Sequence, residues 1–155
     1  MLSKVDLRKL EQILDSFNQK ILFVGIGNVL KSDDGVGVYI SERIKTTFKK
    51  SALTVEISIE NYIGKINALN PDLLVLIDCM EMNQPPGYFR ILDVNNISDT
   101  TSNTHNISLK QLGKFFNMPV FVLGIQPQYI DFGEILSDAV RKSADSILDL
   151  INTAI

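Results

Sequence analysis

The chain has 155 residues, 45% of them hydrophobic and 21% charged, with a formal net charge of −3. That length suits one domain over residues 1–155 with its own core, and the missing basic excess argues against nucleic acid as a partner. The single cysteine, Cys79, excludes an intrachain disulfide and every Cys-cluster metal site, which fits a reducing cytoplasm.

MLSKVDLRKLEQIL has no uninterrupted apolar segment of the kind export signals carry, and no later run approaches the roughly 18 apolar residues of a membrane span, so no membrane insertion is expected. Val5, Leu10, Ile13, Leu14 and Phe17 recur at helical spacing, which predicts an amphipathic helix over 3–18 leading into the fold. ILFVGIG predicts a buried strand ending in glycine. VGVYISERIKTTF, residues 36–48, predicts a helix with Val36, Ile40, Ile44 and Phe48 on one face and Lys49 and Lys50 at its C-terminus.

LTVEISI reads as the second strand, NYIGKINAL as a short helix, and LLVLID as an apolar strand covered on both faces. Pro85–Gly87 breaks structure before YFRILDV, whose alternation predicts a strand near a sheet edge. SLKQLGKFF is helical, VFVLGI is a further buried strand, and 137–151 closes the chain as a helix through Val140, Ala144, Ile147 and Ile151. Strands alternating with helices predict a three-layer α/β/α fold, a twisted and mostly parallel sheet of about five strands with helices on both faces.

In such sheets, functional residues gather where loops leave the carboxyl ends of the strands. The first such loop, GIGNVLKSDDGVG, has the look of a dinucleotide-binding turn but fails as one. Leu30 stands where the third glycine belongs, and Asp33 and Asp34 would repel a phosphate at the helix start. One Asp is expected to N-cap the helix at Val36 and the other to point into the mouth of the loop. Asn28 is expected to fix the turn through backbone groups. Asp78 ends its apolar strand and precedes Cys79-Met80-Glu81-Met82, whose sulfur atoms read as packing groups.

His105, the only histidine, lies just before SLKQL, so Asp34, Asp78 and His105 are placed to converge at one end of the sheet. Two carboxylates and an imidazole suit a borderline divalent ion such as nickel or zinc more than calcium. Asp34 and His105 are both expected on accessible loops, tolerant of replacement by alanine. Gln126 and Pro127 terminate the last strand, at an end of the sheet that could also meet an extended peptide.

Four segments in this order, GIGNVLKSDDGVGV, ENYIGKINALNPDLLVLIDCMEM with its PPG, THNISL, and LGIQP followed by FGEILSDAV, resemble the hydrogenase maturation proteases. The likeness runs from about Ile21 to Ile151 and is greatest to the branch serving formate-hydrogenlyase-type hydrogenases. The resemblance implies an aspartic-type endopeptidase that removes the C-terminal extension of a nickel-iron hydrogenase large-subunit precursor once nickel has been inserted. It also implies that Asp34, Asp78 and His105 act as the metal-contacting triad, on nickel supplied by the substrate, with Asn28 and Gln126 as further substrate contacts. The chain departs from many relatives in lacking a glycine-rich turn before Glu60, and from some in having Asp rather than Glu at position 34. Two rival readings are a non-catalytic metal-dependent checkpoint protein that docks on the loaded precursor and, less favoured, a nucleotide-binding domain.

Overall fold

The computed structural model describes residues 4–15, 18–97 and 108–154. Five strands form one sheet in the order β2-β1-β3-β5-β4. The strands are β1 (Ile21–Ile26), β2 (Lys50–Glu56), β3 (Leu73–Cys79), β4 (Phe89–Asp93) and β5 (Val120–Ile125). The first four in spatial order run parallel, and β4 pairs antiparallel with β5 at the edge, as its alternating pattern predicts. The central strands β1 and β3 are buried at every residue, so their apolar runs are the signature of a sheet covered on both faces.

Successive side chains of a strand point to opposite faces, and the core divides accordingly. On one face Phe23, Val75, Ile77 and Leu123 pack with Leu10 and Leu14 of α1 (Lys4–Leu14), Val36 and Ile40 of α2 (Val36–Ser41), and Val140, Ala144 and Ile147 of α5 (Asp138–Thr153). On the other, Leu22, Val24, Leu74 and Leu76 pack with Ile66 of α3 (Ile63–Leu69) and with Leu109 and Leu112 of α4 (Leu109–Leu112). Each such side chain, fully buried, contributes about 1.5–3 kcal/mol.

Two elements differ from expectation for identifiable reasons. Helix α2 stops at Ser41 instead of running to Phe48, which is exposed. Asn152 of α5 takes over the next backbone groups, accepting from Lys45 N at 2.9 Å and donating to Arg43 O at 3.1 Å. The Thr47 hydroxyl then accepts from Lys49 N and Lys50 N, a local turn that competes with helix. Strand β2 consequently starts at Lys50 and ends at Glu56, whose φ of 56° turns the chain out of the sheet. Lys50 is no helix terminator of its own segment; its buried ammonium donates to the carbonyls of Ile151 and Ala154, at the C-terminal end of α5.

The seating of α2 positions everything that follows. A Cβ added at Gly37 would lie 2.2 Å from Ile77 O and 2.3 Å from Ile26 O, and one at Gly25 would lie 2.4 Å from Gly37 O. The first turn of α2 therefore rests directly on the carbonyls of Ile26, which ends β1, and Ile77, near the end of β3. Gly37→Ala is expected to cost about 3 kcal/mol by overpacking against backbone that has nowhere to move. Gly64→Ala, in α3 with nothing within 4 Å, is expected to stabilise by about 0.5–1 kcal/mol. Denaturant titration of the two variants checks both signs.

Candidate active site

The loop leaving β1 is built around a close backbone crossing. Gly27 has a φ of 143°, and a Cβ there would lie 2.0 Å from Asp34 O, so position 27 requires glycine on both counts. Asn28 Oδ1 accepts from Leu30 N at 2.9 Å, closing the turn as its residue type suggests. Asn28 N donates to Asp34 Oδ2 at 3.0 Å. A backbone donor that would face a phosphate in a nucleotide loop is thus engaged by the chain's own carboxylate.

The Asp pair lies in a 3-10 turn, Ser32–Gly35, and both carboxylates are wholly buried. Neither caps α2, whose N-cap is Gly35 with no side-chain cap. Asp33 is committed elsewhere. Its Oδ1 accepts from Ser137 N at 2.7 Å, and its Oδ2 from Ser137 Oγ at 2.8 Å, Gln128 N at 2.9 Å and Tyr129 N at 3.3 Å. It therefore ties the β5–α5 loop and the N-cap residue of α5 to the turn beside β1. No local signal in the sequence announces a partner some hundred positions away. Asp34 is also not the accessible loop residue its position suggested, because the loop folds inward over the end of the sheet.

Asp78, the penultimate residue of β3, is wholly buried beside Gly124 of β5, and its Oδ1 accepts from Cys79 N at 2.8 Å. Burial first, then the charges of Asp78, Asp34, Asp33 and Glu81, push the Cys79 thiol far up. The turn before α2 packs against β3, which brings the loop after β1 to the end of that strand. Among the described residues the one buried cation, Lys50, sits at the opposite end of the sheet, where β2 begins beside Ile21. The negative charge at the carboxyl end is not offset by a buried positive side chain described there.

The sulfur atoms are packing groups, as expected: Met80 is buried over Gly124, and Met82 packs against the same core. Gln126 organises the loop after β3. Its Oε1 accepts from Met82 N at 2.6 Å and Gln84 N at 3.3 Å, while Nε2 donates to Glu81 Oε2 at 2.7 Å and to Pro127 O at 3.3 Å. Hydrogen bonds from Asn83 N and then Gln126 hold the exposed Glu81 carboxyl below its usual range. His105 lies outside the described residues, among which no three His, Cys, Asp or Glu side chains gather as a set that could hold a metal ion.

Asp33→Ala strands four donors, of which Ser137 N and Ser137 Oγ are buried, and a loss of about 3 kcal/mol or failure to fold is expected by chemical denaturation. The buried, neutral Cys79 thiol is expected to resist alkylation at pH 8 in the native protein and to react on unfolding, as followed by mass spectrometry.

A sequence profile described as HycI, hydrogenase maturation protease, matches residues 38–154. A protein of Methanocaldococcus jannaschii assigned to the hydrogenase maturation proteases is 32% identical over 161 residues, covering 94% of this chain and 93% of its own. The hydrogenase 3 maturation protease of Escherichia coli K12 is 28% identical over 129 residues, covering 79% and 82%. The crystal structure of a nickel-iron hydrogenase maturation protease, HycI, from Thermococcus kodakarensis superposes with a TM-score of 0.81 at 28% identity, over 93% of this chain and 96% of that one. The profile over residues 38–154 agrees with sequence and fold likenesses that span 94% and 93% of the chain, which belongs to the hydrogenase maturation protease family.

Proposed function

We propose that this protease removes the C-terminal extension of a nickel-iron hydrogenase large subunit after nickel insertion, and that Asp34, Asp78 and His105 recognise the nickel the precursor carries. The observation that carries this reading is the pair of wholly buried carboxylates, Asp34 and Asp78, at the carboxyl end of the sheet, far from the buried cation Lys50. Negative charge concentrated where solvent is excluded favours a cation strongly.

Each carboxylate has one oxygen fixed by a backbone N–H, Asp34 by Asn28 and Asp78 by Cys79. That fixing orients the groups before substrate arrives, which is how preorganised sites avoid reorganisation cost. Two carboxylates and His105 are few ligands for an ion held independently. The remainder come from the precursor, whose own ligands bring the ion and thereby set the scissile bond beside these side chains. In hydrolysis one carboxylate accepts a proton from the attacking water and returns it to the leaving amine, an aspartic-type assignment. Asp33 takes no part in the chemistry, since its acceptor positions are occupied by the β5–α5 loop.

Incubation with nickel-loaded and nickel-free precursor tests the reading, followed by mass spectrometry of the product. Cleavage of the loaded form alone is expected. His105→Ala and Asp78→Asn are expected to lower the rate by at least 100-fold with unchanged thermal midpoints. Intact precursor in both reactions would sink the protease reading in favour of a checkpoint protein that docks without cutting.

A further inference from the structure

Two loops beside Asp34 expose more apolar surface than folding requires. Phe132 is 86% and Ile135 79% exposed, and Val29, Leu30 and Tyr129 are exposed as well. Scattered apolar side chains are ordinary on a surface, but five on two adjoining loops are not. Backbone bonds join the loops: Gly133 N donates to Leu30 O and Ser32 N to Gly133 O, both at 2.8 Å. Ser32 Oγ donates to Asp131 O at 2.8 Å, and the parallel bridge between Lys31 and Gly133 sets Leu30 alongside Phe132. Beneath them the Asp33 carboxylate holds Gln128, Tyr129 and Ser137.

We propose that these loops, residues 28–32 and 129–135, form a rigid apolar seat for an apolar surface of the hydrogenase precursor next to the cut. The inference rests on the reading given under Proposed function and adds to it where the substrate body docks. Two observations and a size constraint select this occupant. The seat is continuous with the site, because Asn28, which opens the first loop, donates directly to Asp34. The seat is preorganised by hydrogen bonds between and beneath the two loops, so docking immobilises little backbone and most of the apolar burial remains as affinity. A specific protein contact buries about 800 Å² per partner, more than a scissile segment alone supplies. Exposed aromatic anchors such as Phe132 are the side chains that dominate interface energetics.

Steady-state cleavage of nickel-loaded precursor by the wild type, by the double variant Phe132→Asp, Ile135→Ser, and by Phe48→Ser tests the seat. Phe48 is equally exposed but lies between α2 and β2, away from these loops. The double variant is expected to raise KM at least tenfold with kcat and the thermal midpoint unchanged, and Phe48→Ser to leave all three unchanged. An unaltered KM in the double variant overturns the seat while leaving the protease reading standing. If the wild type does not cleave, that reading falls, and calorimetric binding of the same precursor still decides the seat by the same comparison. A wild-type dimer in sedimentation that the double variant disperses would also overturn it, by making a second copy the occupant.

Discussion

The architecture turns on how closely α2 approaches the sheet. Gly37 lets the first turn of the helix rest on the carbonyls of Ile26 and Ile77, and Gly25 removes the side chain that would otherwise hold the helix off β1. Interiors packed at crystal-like density transmit such a contact without slack. The 3-10 turn preceding α2 is therefore pressed over the end of β3, and Asp34 is brought toward Asp78. With a larger residue at either glycine, the turn would ride higher and the carboxylates would separate.

Adjacent aspartates divide the work that this seating makes possible. Asp33 spends its acceptor positions on Ser137, Gln128 and Tyr129, which fixes the start of α5 and the far wall of the site. Asp34 is steadied by the N–H of Asn28 at the crossing that Gly27 allows. Burying three carboxylates together costs several kcal/mol in desolvation unless hydrogen bonds offset it. Asp33 recovers that cost within the chain. Asp34 and Asp78 each accept a backbone N–H, from Asn28 and Cys79 respectively.

The central strands were legible because burial on both faces leaves continuous apolar runs, as in ILFVGI and LLVLIDC, and β4 because its alternation marks an edge. The placing of Asp34 and Asp78 at the carboxyl end of the sheet was legible because loop position in a parallel sheet is a geometric rule rather than a local propensity. What failed depended mostly on partners distant in sequence. The apolar face through Phe48 described a helix, but Asn152 and the Thr47 hydroxyl offered the backbone better bonds. Asp33 resembled a helix cap because the donors it accepts from in the β5–α5 loop carry no signature in the neighbouring sequence. The exposed side chains of the seat were likewise unmarked, since exposure depends on which loops the bridge between Lys31 and Gly133 brings together.

Crystals of the protein in complex with nickel-loaded precursor, measured at the nickel absorption edge, test the central claim, that the buried carboxylates at this end of the sheet meet the metal. An anomalous peak within coordination distance of both Asp34 and Asp78 is the predicted result. A peak elsewhere at full occupancy, with both carboxylates untouched, would contradict it.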